Sequence, residues 1–404
     1  MTIRSQNDSR PTRRSVLRFA GGAAVPGAGI RGFPMPAIAQ GVPLRVGFML
    51  PYTGTYASLG KMIDNGFRQY VAELGDKLGG RPVEYVVVDD QAEPAKGPDN
   101  MTKLVEREKV DVVVGTVHSG VAMAMVKIAR ETGKLLIIPN AGAAAATGPM
   151  CAPNIFRTSF TNWQPCYPMG KVVAEDGHKN AITITWKYAA GEEMANAFRQ
   201  GFAEAGGTVD AQLYVPFPEV EFQSLLTQIA ERKPQAVFAF FAGGGAVKFV
   251  RDYAAAGLKK SIPLYGPGFL TDGTLAAQGE AAEGMKTTLH YADDLDNAAN
   301  KKFRAAHQKR FGVEPDVYAV QGFDSAALLA IGLDAVKGDI GARDALSKAM
   351  QAARIASPRG PITFSPSRNV VQNIYLCEVR KGKNTFIRIA HPALADPGTG
   401  CRIA

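Results

Sequence analysis

The chain alternates between short apolar runs and longer segments in which apolar residues recur every three or four positions. Short apolar runs are typical of buried strands, and the longer spacing is typical of helices that bury one face. The predicted strands are 44–50, 83–88, 110–114, 135–138, 181–185, 209–215, 236–241 and 264–265. Helices are predicted between them, for example at 98–108, 191–205, 222–232 and 246–256. This alternation predicts parallel sheets with helices on both faces.

The α/β pattern runs twice along the chain, with a restart near residue 180. It is followed by a predicted crossover at 286–292, helices at 298–311, 324–336 and 342–353, and strands at 361–364 and 373–380. A chain of this length exceeds what one hydrophobic core usually supports, so we expect two α/β lobes. Ligands of open α/β sheets bind at the carboxyl ends of the strands, which predicts a binding cleft between the lobes.

Residues at these strand ends are the candidates for a binding site. Ser119 stands where a strand passes into a helix, so its hydroxyl and the nearby backbone N–H groups can hold an anion. A plain helix N-cap is the alternative role for Ser119. Aromatic residues at other strand ends can line an apolar pocket, although each one taken alone is as readily a core residue. These are Tyr52, Tyr56, Trp186, Tyr188, Phe269 and Tyr318.

Enzymatic chemistry has little support in the sequence. His118 and Ser119 are adjacent, and adjacent side chains rarely adopt the geometry of a nucleophile and its base. Gly243–Gly245 lacks the spacing of a nucleotide-binding loop, so a tight turn is the favoured interpretation. Asp89 and Asp90 more readily end a strand than hold a metal. We therefore expect no enzyme, no metal and no cofactor.

The N-terminal segment has the features of an export signal. Residues 12–18 read Thr-Arg-Arg-Ser-Val-Leu-Arg, a twin-arginine motif, and an apolar stretch at 19–30 follows. The sequence Ala-Ile-Ala at 37–39 suits a signal peptidase, so residues 1–39 are predicted to be a twin-arginine signal peptide. Cleavage is expected near Ala39/Gln40, with a periplasmic location. A basic N-terminal arm is the alternative.

Charge and hydropathy then exclude two classes of partner. The chain has a net charge of +9, but residues 1–39 hold six arginines and one aspartate, so the remainder carries +4. This excess is too small and too scattered to indicate nucleic-acid binding. Because no later apolar run is long enough to span a bilayer, the protein is not expected to insert into the membrane.

Four cysteines allow three pairings in an exported chain. The pairing between sequence neighbours, Cys151–Cys166 and Cys377–Cys401, is the expected one, and four unpaired thiols are the alternative. The spacing is not CxxC and the five histidines are scattered, which argues against a zinc site.

The order of several short segments resembles a known family. These segments are Val46-Gly47 with Gly54 and Gly60, Leu78-Gly79-Gly80-Arg81-Pro82, Val113-Val114-Gly115 with Ser119, Ile138-Pro139-Asn140-Ala141, Ala254 to Leu258, and Tyr318-Ala319 with Phe323 to Ala326. They resemble the type I periplasmic solute-binding proteins of ABC importers, in the branched-chain amino-acid-binding branch. The resemblance covers nearly the whole chain after residue 40 and rests on order and spacing.

The resemblance implies two doubly wound Rossmann-like lobes joined by three hinge strands, near Phe160, Leu289 and Pro361. Lobe I is expected to comprise 42–160 and 290–360, and lobe II to comprise 161–289 and 361–404. It also implies that ligand capture closes the lobes and that a membrane permease of an ABC transporter is the partner. The protein is expected to be a monomer, although the sequence carries no signal for or against a dimer.

Departures from the family pattern bear on the ligand. The resemblance assigns the ligand carboxylate to Ser119, Asn140 and Ala141. A threonine and an acidic residue that hold the α-ammonium in amino-acid receptors fall here on Gly142 and Gly268. An ammonium buried without such partners costs several kcal/mol.

We therefore expect a carboxylate without an α-amino group, such as a benzoate- or phenylpropanoid-type acid. His118 would add a hydrogen-bond donor, and Tyr188, Phe269 and Tyr318 would pack the ring. A receptor for branched-chain or other apolar amino acids and a ligand sensor of the same fold are the alternatives.

Overall fold

Two β-sheets organise residues 41–403, the part of the chain that the computed structural model describes. The first sheet contains β1 (Leu44–Leu50), β2 (Lys77–Leu78), β3 (Arg81–Asp89), β4 (Val112–Gly115), β5 (Leu135–Ile138) and β6 (Ile155–Arg157), in the order β2-β3-β1-β4-β5-β6. All its pairs are parallel except β2–β3. Its central strands β4 and β5 are buried throughout, as expected for strands covered on both faces.

The second sheet has nine strands. They are β7 (Asn180–Lys187), β8 (Thr208–Pro216), β9 (Ala236–Phe240), β10 (Leu264–Pro267), β11 (Lys286–Leu289), β12 (Ile355–Ser357), β13 (Gly360–Phe364), β14 (Val370–Arg380) and β15 (Lys383–Leu394). Their order is β12-β13-β14-β11-β10-β9-β7-β8, and β15 pairs with β14 outside this order. The strands from β7 to β11 are parallel, and β14 is antiparallel to β11.

Helices cover the sheets. They are α1 (Ala57–Glu73), α2 (Gly97–Thr102), α3 (Ser119–Thr132), α4 (Ala144–Thr147), α5 (Trp163–Glu175), α6 (Ala189–Glu204), α7 (Gln223–Arg232), α8 (Gly243–Ala255), α9 (Leu275–Gln278), α10 (Ala298–Phe311), α11 (Val317–Ala335) and α12 (Arg343–Gln351). We call the first sheet with α1–α4 and α10–α12 lobe I, and the second sheet with α5–α9 lobe II. A continuous helix predicted at 98–108 is instead α2 followed by a π-helical turn, Lys103–Arg107.

Up to the end of β15 the chain passes between the lobes three times: after β6, after β11 and after α12. Arg359, which follows the third crossing, contacts the first one: its guanidinium donates to the carbonyl oxygens of Thr158 and Ser159. Its Nε also lies 2.8 Å from the buried carboxylate of Asp324 in α11, a charge contact rather than a well-directed hydrogen bond. The predicted fold class is thus confirmed, and the residue ranges proposed for the lobes stay predictions.

The cysteine pairing predicted from sequence proximity is wrong. The disulfide joins Cys151, just after α4, to Cys401, with the two Cα atoms 5.5 Å apart. The C-terminal tail leaves β15 and returns to lobe I, which brings together residues separated by 250 positions. Cys166, inside α5, and Cys377, inside β14, are buried thiols instead of partners of Cys151 and Cys401. Their side chains belong to the apolar interior.

The predicted signal peptide at 1–39 and its cleavage point lie outside the described residues. Between residues 41 and 403, no helix combines the length and the apolar character needed to cross a membrane.

Candidate functional site

A cavity lies between the two lobes, at the carboxyl ends of strands from both sheets. Its volume is about 20 Å³, far below the range usual for ligand sites, and about 290 Å³ when the space open to solvent is counted with it. The cavity is therefore a narrow slot between closely packed walls. Its walls are Tyr56, Leu59, Val117, Ser119, Asn140, Gly142, Phe160, Asn162, Tyr188, Ala190, Met194, Phe240, Ala242, Phe269 and Tyr318.

Ser119 presents the anion-binding end of a helix to this cavity. It is the first residue of α3, and its buried hydroxyl has no hydrogen-bond partner among the described residues. The helix is capped by the preceding residue, because Nδ1 of His118 accepts a hydrogen bond from the backbone N–H of Gly120 at 3.1 Å. The Ser119 hydroxyl is therefore free of the capping role, and the positive end of the α3 dipole favours a carboxylate beside it.

His118 lies behind the cavity wall. Burial lowers the pKa of its imidazole to about 4, so the ring is neutral near pH 7. Since Nδ1 accepts a hydrogen bond, we assign the ring proton to Nε2. The ring stacks on Tyr188 with the centroids 4.5 Å apart, and this contact holds a wall residue in place.

An aromatic cluster joins the lobes at one side of the cavity. The hydroxyl of Tyr56 in lobe I lies 2.9 Å from that of Tyr188 in lobe II, a hydrogen-bonding distance. Phe217 of lobe II packs against Tyr56, His118 and Tyr188, with centroids between 4.8 and 5.3 Å apart. Trp186 supports this cluster from below, edge-on to Tyr56 at 5.9 Å. Closing the lobes thus buries a continuous apolar surface, which favours the closed form.

Seven of the twelve predicted residues line the cavity and five do not. Those on the wall are Tyr56, Ser119, Asn140, Gly142, Tyr188, Phe269 and Tyr318, and the others are Tyr52, His118, Ala141, Trp186 and Gly268. Trp186 is fully buried and donates its indole N–H to the carbonyl of Glu219 at 2.8 Å. Tyr52 donates its hydroxyl to Asp64 at 3.1 Å. Binding roles for all twelve stay predictions.

Other wall residues were not predicted from the sequence. They are Leu59, Val117, Phe160, Asn162, Ala190, Met194, Phe240 and Ala242. Two of them lie at the carboxyl end of a strand, where ligands of parallel sheets bind, and this signal could have identified them. They are Phe240, which ends β9, and Ala242, which precedes α8. Asn162 follows the short strand β6 in a crossing segment without periodicity, so no sequence signal marks it.

The two glycines at the ammonium-binding positions have no room for a side chain. A Cβ on Gly142 would overlap the Asn162 side-chain oxygen and lie 2.8 Å from the Asn162 backbone nitrogen. One on Gly268 would lie 2.6 Å from a methyl carbon of Leu289. Asn162 and Leu289 thus fill the space that larger residues would need at Gly142 and Gly268.

Glu193 contacts a wall residue, Asn162, but is not itself on the cavity wall. It accepts hydrogen bonds from the Asn162 side-chain amide at 2.7 Å and from the Ala144 backbone N–H at 3.1 Å. Burial raises the pKa of its carboxyl group. Its carboxylate is therefore committed to Asn162 and to lobe I instead of to the cavity.

Comparison with known proteins agrees with this geometry. A family model described as periplasmic binding protein matches residues 43–384. A Leu/Ile/Val-binding protein homolog 6 from Brucella melitensis is 34% identical over 345 residues, which are 84% of this chain and 88% of that protein.

Two solved structures are similar over almost their whole length. One, a solute binding protein of an ABC transporter from R. palustris in complex with benzoate, is 53% identical with a TM-score of 0.88, covering 90% of this chain and 100% of that chain. The other, from Rhodopseudomonas palustris BisB5 in complex with 3,4-dihydroxy benzoic acid, is 34% identical with a TM-score of 0.84, covering 89% and 99%. With most of its length matched by the family model, the chain belongs to the periplasmic binding protein family.

Proposed function

We propose that this protein is the extracytoplasmic solute-binding component of an ABC importer and that its ligand is a small aromatic acid without an α-amino group. One observation carries the proposal: the unpaired Ser119 hydroxyl, at the start of a helix, faces a narrow slot, and Asn162 and Leu289 occupy the space beside Gly142 and Gly268 that the ammonium partners of amino-acid receptors would need. The similar structures from R. palustris, in complex with benzoate and with 3,4-dihydroxy benzoic acid, support the same ligand class.

The ligand carboxylate would sit at the amino end of α3. Ser119 would donate its hydroxyl hydrogen, and the first backbone N–H groups of the helix would complete the anion site. The aromatic ring would lie in the slot against Tyr188, Phe269 and Tyr318, which come from both lobes. A ligand held by both lobes stabilises their closed arrangement, so binding shifts the equilibrium towards closure.

A receptor for branched-chain amino acids is the second candidate, favoured by the name of the Brucella relative. An α-ammonium in this cavity would need an acidic partner to offset its lost hydration. None of the described residues that line the cavity carries a carboxylate, and Glu193, which contacts the wall residue Asn162, is already bonded to Asn162 and Ala144. The geometry therefore favours the aromatic acid over leucine.

The proposal also includes export of the chain and delivery of the ligand to the permease. The twin-arginine segment at 1–39 would direct the chain across the inner membrane, with cleavage near Ala39/Gln40. The closed, loaded form would dock on the membrane permease and release its ligand unchanged, without catalysis.

Calorimetric titration of the chain beginning at Gln40 tests the proposal. We expect benzoate-type acids to bind and leucine to give no heat. Ser119→Ala should weaken binding by about tenfold to a hundredfold, the value of one hydrogen bond to a charged group. Ser261→Ala, at an exposed serine outside the cavity, is the matched control and should change nothing. Equal affinities in the Ser119 variant and the parent would contradict the assigned carboxylate site.

A further inference from the structure

Three buried polar atoms on the cavity wall have no hydrogen-bond partner within residues 41–403. They are the hydroxyl oxygens of Ser119 and Tyr318 and the side-chain oxygen of Asn162. Buried polar atoms in folded proteins are nearly always paired. The three unpaired atoms around this cavity therefore indicate which hydrogen-bonding groups its ligand should carry.

These three atoms differ in what they can bond. The hydroxyls of Ser119 and Tyr318 can donate, so the acceptor oxygens of a carboxylate can satisfy both. The amide oxygen of Asn162 can only accept. An ionised carboxylate on an unsubstituted ring has no donor to offer, so it would leave Asn162 unpaired.

The Glu193 carboxylate fixes the orientation of the Asn162 side-chain amide. Its nitrogen donates to the Glu193 carboxylate at 2.7 Å, and a flipped amide would set two acceptor oxygens against each other. The Glu193 carboxylate is itself held by the backbone N–H of Ala144 at 3.1 Å. The Asn162 backbone N–H donates to the carbonyl of Gly142 at 2.8 Å, which anchors the residue at the cavity.

We propose that Asn162 is a specificity-determining residue that accepts a hydrogen bond from a ring hydroxyl, and that Glu193 is the positioning residue that holds its amide oxygen towards the ligand. This inference rests on the proposed function, because it concerns the same cavity. It narrows the ligand class to hydroxylated benzoate-type acids and ranks unsubstituted benzoate below them.

The test is a calorimetric series on the chain beginning at Gln40. The ligands are benzoate, its three monohydroxy isomers and the three matching fluorobenzoates, in which fluorine is close in size to hydroxyl but cannot donate. We expect at least one hydroxy isomer to bind about tenfold or more tightly than benzoate and than its fluoro counterpart. Hydroxybenzoates no tighter than benzoate would overturn the inference, since a water molecule would then serve Asn162 equally well.

Substitutions test which residue produces the preference for a ring hydroxyl. Asn162→Ala should remove most of the ratio between the preferred hydroxybenzoate and its fluoro counterpart, while benzoate affinity changes by only a few fold. Glu193→Gln should reduce the same ratio, because a neutral amide no longer enforces one orientation of Asn162. Asn196→Ala, at an exposed asparagine on the same helix as Glu193, is the control and should leave the ratio unchanged. A ratio that survives in the Asn162 variant would assign the preference to another residue.

The ligand series separates the failure of the proposed function from the failure of the role given to Asn162. If neither benzoate nor any hydroxybenzoate binds, the proposed function itself is wrong. If all of them bind with similar affinity, the proposed function stands and the role of Asn162 is wrong. The ligand series on the unmodified chain decides this even where a variant does not fold.

Discussion

At two glycines the neighbouring residues leave no room for a larger side chain. At Gly142 the position of a side chain is taken by Asn162, and at Gly268 it is taken by Leu289. The sequence alone predicts the loss of the ammonium partners at these positions, because both residues are read directly from the chain. It does not predict which residues fill the space, since Asn162 and Leu289 come against these glycines only through the fold.

Substitution of Gly142 tests this close packing. Gly142→Ala should lower the free energy of unfolding by about 1–3 kcal/mol, because the added methyl overlaps Asn162. Gly244→Ala is the matched control, since a Cβ there meets no atom within 4 Å. Chemical denaturation of both variants measures the difference. Equal stability of the two variants would mean that Asn162 moves aside without cost.

Most elements of the fold follow from local patterns. The strands β1, β5 and β9 and the helix α10 lie where apolar periodicity predicts them. The helix α5 was not predicted because it contains Pro168, a residue that normally disfavours helix interiors. The strand β15 was missed because part of its apolar surface, including Ile389, is exposed and gives no clear alternation.

The disulfide, unlike most strands and helices, could not be predicted from local sequence patterns. No local signal connects Cys151 with Cys401, because their contact depends on the return of the whole C-terminal tail to lobe I. The tail is also held by a hydrogen bond from the Thr161 hydroxyl to Asp396 at 2.7 Å.

Removal of this disulfide should destabilise the protein. Cys151→Ser combined with Cys401→Ser should cost about 2–4 kcal/mol, as the unfolded chain regains the freedom of a very long loop. Thermal unfolding with and without a reductant measures the effect, and the double variant should not respond further to the reductant. Peptide mapping that finds Cys151 joined to Cys166 would contradict the pairing.

Buried carboxyl groups at the interface between the lobes should couple closure of the lobes to proton uptake. Asp272 of lobe II is buried, and its carboxylate accepts a hydrogen bond from the Val317 backbone N–H at the start of α11 in lobe I, at 3.1 Å. Burial raises the pKa of Asp272 well above its usual range and that of Asp316 to about 7. The other charged groups around them are Asp293, Arg304 and Glu314.

Ligand affinity should therefore rise as the pH falls. Opening the lobes returns the Asp272 carboxyl to water and to an ordinary pKa near 4, so closure takes up protons. An acid whose pKa is raised in the closed form stabilises that form fully below its ordinary pKa and loses this contribution as the pH rises through its raised pKa. We expect the dissociation constant at pH 5.5 to be at least about threefold smaller than at pH 8.

Titrations across that pH range measure this dependence. The aromatic acid remains ionised throughout it, so the ligand adds little of its own. Asp272→Asn keeps an oxygen that can accept from Val317 and should flatten the profile. A profile as steep in the variant as in the parent would exclude Asp272 as its source.

The central claim concerns the ligand class, and the most direct measurement compares one aromatic acid with one amino acid in the same cavity. Calorimetric titration of the purified chain with a monohydroxybenzoate series and with leucine, at one pH, gives both affinities. The account predicts saturable one-to-one binding of an aromatic acid and no detectable binding of leucine. Tight binding of leucine with no response to any aromatic acid would contradict it, and would show that the cavity holds an ammonium despite Gly142 and Gly268.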